Sequence, residues 1–174
     1  MVTVKTLSIA HTLSHMSNSR VGPRLFIVCG LPGSGKTTHA KRLEDEFHAI
    51  RFSPDEWMTE LSLDLYEEDS RAKIEALQWK LAQALLASGL AVIIEWGTWG
   101  KSERDTLRLG ARVLGAAVEL HHLTAPLDVL YERIRQRGME SPTIEMCDLR
   151  QWAELFQEPT PEEMALFDTP LKRR

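Results

Sequence analysis

Apolar residues along this chain fall into two alternating patterns. Short continuous runs, Leu25-Phe26-Ile27-Val28-Cys29 and Ala91-Val92-Ile93-Ile94, have strand length and no polar face, as strands covered on both sides do. Helix-length stretches lie between them, and this alternation predicts an α/β fold with a mostly parallel sheet wrapped by helices. After the first strand, which begins at Arg24, the pattern predicts a helix from Lys36 to Phe47 and a short strand from His48 to Phe52. Ser53-Pro54-Asp55-Glu56 reads as a helix start, with Ser53 as cap, Pro54 at the first helical position and Glu56 closing a capping box. Ile74, Leu77, Leu81 and Leu85 recur at helical spacing up to Ser88-Gly89. A strand over Ala91 to Ile94 follows, then a helix from Ser102 to Leu114 opened by Ser102, a strand over Ala116 to Leu123 and a helix from Leu127 to Arg137. Beyond Gly138 the pattern thins to a helix near Ile144 to Phe156, a second capping box at Thr160-Pro161-Glu162-Glu163, and a fifth-strand candidate at Ala165 to Leu171. The sheet therefore has four to five strands in one domain, residues 24–174. Residues 1–23 lack hydrophobic periodicity and read as a flexible extension, within which Met16 offers an alternative start.

Composition narrows the function classes. At 174 residues the chain is one domain's worth, able to bury roughly 70% of its unfolded surface. Its net charge is −4 and its pI near 5.9. That balance gives no global attraction for phosphate polymers or anionic lipid, which disfavours nucleic acid as a partner. Cys29 and Cys147 form no Cys-x-x-Cys pair, so neither a disulfide framework nor a zinc knuckle is expected, and a reducing cytoplasm fits. No apolar run approaches the roughly 20 residues of a membrane span. The pattern leaves the oligomeric state open.

The sharpest chemistry is Gly30-Leu31-Pro32-Gly33-Ser34-Gly35-Lys36-Thr37, which matches G-x-x-x-x-G-K-[ST] at every fixed position. It leaves a buried strand and enters a helix, the setting in which backbone N–H groups and a helix N-terminus converge on a polyphosphate. Gly30, Gly33 and Gly35 keep that approach open, and Ser34 and Thr38 complete the phosphate-binding set. Lys36 would reach the β- and γ-phosphates, and the Thr37 hydroxyl would ligate Mg²⁺. No Asn-Lys-x-Asp stretch of the guanine-reading kind occurs, which favours ATP over GTP. The chain is too short for the extra strands of a motor-type ATPase, so a small phosphotransferase remains.

Strand C-terminal ends share an edge with the phosphate loop in a parallel sheet. Asp55, just past the second strand, could there orient an acceptor hydroxyl and take its proton, or merely complement a helix dipole. Glu95 ends the third strand and could hold a Mg²⁺-bound water, touch the acceptor, or face solvent from the rim. Trp96 and Trp99 on the following loop, with Trp57, are candidate pocket walls. Arg133 and Arg137 share a helical face and could close over ATP as lid arginines. Arg104, Arg108 and Arg112 form a stripe read as solvent face, with Arg104 the exception as a substrate contact beside the Trp loop. His121 and His122 should point to opposite sides of a strand, which argues against paired metal ligation.

With those residues in place, the chain resembles the small P-loop kinases of the zeta-toxin, chloramphenicol phosphotransferase and polynucleotide kinase group, filed broadly as AAA-domain ATP-binding proteins. The resemblance runs from Leu25 to Arg137 and rests on GLPGSGKTT (30–38), SPDEWM (53–58), IIEWGTW (93–99), SERD (102–105) and LYERIRQR (130–137). It implies a three-layer P-loop fold with a helical lid, ATP on the loop at Lys36 and Thr37, Asp55 as general base, and Arg133 and Arg137 neutralising the phosphates. Two departures weaken a nucleic-acid acceptor. The Asp-x-x-Arg of polynucleotide kinases reads Asp55 to Met58 here, and their third-strand Asp is Glu95. The leading expectation is transfer to a hydroxyl of a small molecule, with a 5′-hydroxyl polynucleotide kinase and a slowly hydrolysing nucleotide-binding regulator as alternatives.

Overall fold

The apolar run of residues 25–29 takes the centre of a parallel sheet. In the computed structural model, which describes residues 22–138 and 143–171, the elements run β1 (Arg24–Cys29), α1 (Lys36–Phe47), β2 (Ile50–Phe52), α2 (Pro54–Glu60), α3 (Glu68–Ala87), β3 (Ala91–Gly97), α4 (Lys101–Val113), β4 (Ala117–His122), α5 (Leu127–Arg137), α6 (Met146–Leu155) and α7 (Pro161–Met164). Residues 1–21, Met16 among them, lie outside the described residues. The strand order is β2-β3-β1-β4, with every pairing parallel. Alternate residues of β1 serve two cores. Leu25, Ile27 and Cys29 meet Ala82 and Leu86 of α3 and Leu107 and Ala111 of α4, whereas Phe26 and Val28 meet Ala40 and Leu43 of α1. This is the expected three-layer P-loop fold. A third cluster joins Leu130 and Ile134 of α5 to Leu149 of α6, with Leu31 and Trp152 against it, and seats the α5–α6 pair over the phosphate loop. No helix among the described residues is long and apolar enough to cross a membrane.

Two local expectations are corrected, the capping box of α2 and the first residue of α4. Ser53 is the N-cap of α2 with Pro54 in the first turn, as expected, but its side chain makes no cap bond, and Glu56 closes no box, both its oxygens accepting from Arg51 Nη2 at 2.7 and 2.8 Å. Helix α4 opens at Lys101 behind Gly100, one residue ahead of Ser102. On α3 the buried line is Ile74, Gln78, Ala82 and Leu86, leaving Leu77 and Leu81 50% and 41% exposed. The helix is turned so that small Ala82 meets the sheet and Gln78 meets the Trp96 indole.

The segment Ala165 to Leu171 forms no strand. Asp168 N donates to Val118 O at 2.8 Å, but the β4 donor Val118 N is taken by the Asp168 carboxylate at 2.6 Å, and Pro170 has no N–H to continue a ladder. The arginine stripe of α4 explains why this segment lies there. Arg104 pairs with Glu163 at 2.6 Å, Arg108 lies over the Phe167 ring at 5.6 Å and Arg112 pairs with Asp168 at 2.8 Å. The stripe read as solvent face straps down the C-terminal segment.

On the α1 side of β4, a relay of polar groups runs inward. Arg42 Nη2 donates to His39 Nδ1 at 2.8 Å, His39 Nε2 and His121 Nδ1 lie 3.0 Å apart, and His121 Nε2 lies 3.0 Å from Glu119 Oε2. Glu119 also holds Arg24 at 2.5 Å. His122 stacks instead on Phe156 on the opposite face, as the alternation requires. Burial, followed by the neighbouring His121 and Arg42, lowers His39 from the usual 6.5 to about 4. Because the unfolded chain then takes this proton first, the contribution of neutral His39 is present above pH 6.5 and lost as pH falls toward 4. Unfolding midpoints should therefore fall across that window, and fall less in His39→Gln. Equal slopes for the two proteins would remove His39 from the pH dependence.

Candidate active site

The loop between β1 and α1 has no room for side chains at two of its glycines. A Cβ on Gly30 (φ +143°) would meet Leu123 O at 2.3 Å, and one on Gly33 (φ +78°) would meet Leu130 O at 2.6 Å. The loop thus threads between the exit of β4 and helix α5. The N-terminus of α1 has neither a side-chain cap nor an acid in its first turn, so its N–H groups remain open to an anion. Lys36 Nζ folds back onto Gly30 O at 2.9 Å and Leu31 O at 3.0 Å. Burial lowers its ammonium from the usual 10.5 to about 8, against the charges of Glu95 and Asp55, which favour the protonated form. Ser34 Oγ is buried and finds no partner among the described residues. A polyphosphate would supply acceptors for all of these donors.

Helix α1 brings the Thr37 hydroxyl onto Glu95 Oε1, while Arg51 Nη1 holds Oε2 at 2.9 Å. Glu95 is only 8% exposed, so it faces the loop rather than the solvent rim. Burial raises its carboxyl above the usual range, with the Thr37 bond and the Arg51 charge opposing. Hydroxyl and carboxylate are the hard oxygen donors that suit Mg²⁺, so this pair fits such an ion. Arg51 escaped the sequence reading. Its signal was faint, a lone charge within the short strand β2, and it also binds Glu44 and Glu56.

Asp55 lies on the same edge, 65% exposed. Arg71 of α3 donates to its Oδ1 from both Nη atoms at 2.7 Å, and Arg71 Nη1 sits 3.9 Å from Met58 Sδ. The guanidinium absent at position 58 is therefore present beside Asp55, supplied from another helix. Sequence separation hid it. Arg133 Nη1 reaches Gly33 O at 3.3 Å and lines a cavity of about 460 Å³ with Gly35, Thr38, His39, Arg42 and Leu123. Arg137 is close enough for its charge to lower Lys36. Both α5 arginines thus lie near the loop, whereas Arg135 lies over Tyr131 at 5.9 Å.

The three tryptophans expected at the ligand edge each have a packing or hydrogen-bond partner. Trp57 packs edge-on to Phe52 at 6.1 Å, Trp96 donates its indole N–H to Gln78 Oε1 at 2.8 Å, and Trp99 packs on Trp152 at 6.1 Å. All three are half-buried, Trp57 and Trp99 against rings and Trp96 with its indole N–H on the Gln78 amide. Arg104 is fully buried, and every N–H of its guanidinium is spent on Glu163, Thr98 O, Trp99 O and Gln157 O. It contacts no open cleft and instead anchors the Trp loop. Thr98, which it holds, has φ +42°, a strained value for a β-branched residue. Burial pushes the Cys29 thiol up to about 12, which leaves it a core residue without nucleophilic character. No group of three or more His, Cys, Asp or Glu fit for a metal occurs among the described residues.

The AAA domain family model matches residues 25–159. By structure the chain is similar to a gluconokinase from Sinorhizobium meliloti 1021, with 21% identity, a TM-score of 0.58 and coverage of 80% of this chain and 78% of that one. It is similar also to Chaetomium thermophilum Kti12 in complex with ADP-AlF3, at 20% identity and a TM-score of 0.60, covering 79% and 82%. The Pnkp1/Rnl/Hen1 RNA repair complex gives a TM-score of 0.65 at 23% identity over 91% of this chain but 51% of that one. A search of curated protein sequences returns no match.

The buried placement of Arg104 is testable. Arg104→Met leaves Glu163 charged and unpaired in the interior, which should cost about 3–5 kcal/mol in urea unfolding. Adding Glu163→Gln to that variant should restore part of the loss. A cost under about 1 kcal/mol for the single change would mean that the guanidinium is solvated.

Proposed function

The chain belongs to the AAA domain family, and on that premise we propose that it is an ATP-dependent phosphotransferase moving the γ-phosphate of Mg·ATP to a hydroxyl of a small molecule. The observation that carries the reading is the pairing, on one sheet edge, of a donor-rich loop with an exposed carboxylate. Lys36, Ser34 and the open N-terminus of α1 offer donors to the phosphates, and Asp55 stands across from them. The kinase-like fold and the nucleotide held by a structural neighbour support it. The working unit is residues 24–174, in a reducing compartment.

Asp55 Oδ1 is held by Arg71, and Oδ2 accepts no hydrogen bond from a described residue. Oδ2 takes the acceptor's hydroxyl proton as the acceptor oxygen bonds to the γ-phosphorus. The bond from that phosphorus to the β–γ bridging oxygen breaks, and ADP leaves with its electron pair. Arg133 and Arg137 stabilise the charge spread over the transferring group. Thr37 and Glu95 would hold Mg²⁺, which would supply charge neutralisation to the phosphates.

A second reading, a 5′-hydroxyl polynucleotide kinase, is favoured by Arg71 beside Asp55. Against it stand the acids Glu56, Glu60, Asp64, Glu67, Glu68 and Asp69 on the same stretch, which would repel a polyanionic strand.

Lys36→Ala should weaken Mg·ATP binding. Calorimetry giving unchanged affinity, together with unchanged turnover, would sink the loop assignment. Asp55→Asn should lower single-turnover transfer by roughly 10² to 10⁴ while barely changing ATP affinity. A helix-dipole role predicts instead normal transfer and a stability loss of about 0.3–1 kcal/mol.

A further inference from the structure

One face of α1 continues the wall of the phosphate loop. Gly35, Thr38, His39 and Arg42 lie at i, i+3, i+4 and i+7, and with Leu123 and Arg133 they line the cavity of about 460 Å³ beside the loop. That volume suits a nucleoside-sized group. Arg42 stands seven residues past Gly35, about 10 Å along the helix axis at a rise of 1.5 Å per residue. With the phosphates of a nucleotide on the loop, its base is the part that reaches this level.

The wall has a fixed hydrogen-bonding sense. A guanidinium can only donate, so the 2.8 Å bond from Arg42 Nη2 makes His39 Nδ1 an acceptor and leaves the ring proton on Nε2. His39 Nε2 therefore donates to His121 Nδ1 at 3.0 Å, and His121 Nε2 donates in turn to Glu119 Oε2 at 3.0 Å. Glu119 is 1% exposed, and its other oxygen accepts from Arg24 at 2.5 Å and from Leu171 N at 3.3 Å. The chain thus ends on a carboxylate that is itself held.

This chain pins one arm of Arg42 to β4 and leaves the rest of its fork to the cavity. Arg42 Nη1 and Nε bond to no described residue. Both ring nitrogens of His39 are spent, Arg133 can only donate, and no acid lines the cavity among the described residues. The charged side chains of the wall therefore offer donors and no acceptor. Guanine and hypoxanthine present O6 and N7 side by side, two acceptors that match a guanidinium fork, whereas adenine sets an N–H donor beside N7.

The geometry points to a base subsite in this cavity that selects a 6-oxopurine, with Arg42 donating to O6 and N7, so that GTP is held more tightly than ATP. This rests on the phosphotransferase reading and names the base of its phosphoryl donor, ATP being accepted through the same phosphate contacts. An Asn-Lys-x-Asp stretch is one means of reading guanine, and a guanidinium fork is another. His39, His121 and Glu119 act as positioning residues that hold Arg42 at the wall.

Calorimetry on the full chain with Mg²⁺ compares ADP, IDP and GDP, which differ in the base alone. IDP and GDP should each bind on the order of 5-fold tighter than ADP, the lower end of what one guanidinium fork discriminates. Arg42→Met should bring the three to parity, as should Arg42→Lys, which keeps the charge but loses the fork. His121→Phe cuts the chain behind His39 and should reduce the preference, and an undiminished preference there would overturn the chain's part in the subsite. Arg42 is exposed, so its variants stay readable even where His121→Phe fails to fold. Equal binding by the wild type, tighter binding of ADP, or a preference that survives both Arg42 substitutions overturns the subsite. So does an Arg42→Met variant that weakens all three alike, which would put the guanidinium on the phosphates. Absent binding of all three defeats the phosphotransferase reading itself, whereas binding without base preference defeats only the subsite.

Discussion

The clearance of the phosphate loop constrains everything at the ligand edge. Its backbone passes so close to Leu123 O and Leu130 O that positions 30 and 33 admit no side chain. Those two approaches fix the loop against both the sheet and α5, and so fix the separation between Lys36 and the arginines of α5. A larger residue at either glycine would have to displace backbone rather than a flexible side chain, and the displacement would pass directly into that separation.

Around this loop the protein places two carboxylates in opposed environments. Glu95 is enclosed, bound to Thr37 and Arg51, and disfavoured as an anion by its burial. Asp55 stands in solvent with one oxygen held by Arg71. The enclosed group is suited to a cation that can replace lost hydration, and the open one to exchanging a proton with an incoming molecule. Each is steadied by an arginine from a different element, Arg51 of β2 and Arg71 of α3.

Much of this architecture was legible from short-range pattern. Continuous apolar runs marked β1 and β3 because strands buried on both faces need no polar alternation. The phosphate loop was legible because its chemistry is contiguous in sequence. What stayed hidden depends on distant partners. Arg71 lies sixteen residues beyond Asp55, and nothing local says that it turns toward it. The partners of the three tryptophans, Phe52, Gln78 and Trp152, stayed hidden because periodicity does not reveal them. Leu77 and Leu81 matched the helical period as well as their buried neighbours do, yet the helix is turned to suit Ala82 and Gln78. At Ala165 to Leu171 apolar content imitated a strand, and a single carboxylate at Asp168 took the hydrogen bond that would have made one.

The central place of β1 bears on how the chain assembles. Both neighbours of β1 come later in sequence, with Arg24 in register with Ala91 on one side and Ala117 on the other. Between β2 and β3, the one adjacent pair consecutive in sequence, lie α2 and α3, so no hairpin can nucleate the sheet. Loop closure over such spans precedes any reward from pairing, which slows folding. During synthesis the most apolar segment therefore emerges with both edges unpaired, and it stays so until β3 and β4 have followed. That interval, rather than the finished molecule, is when the chain is most exposed to aggregation, and chaperones that shield strand edges would act on it there.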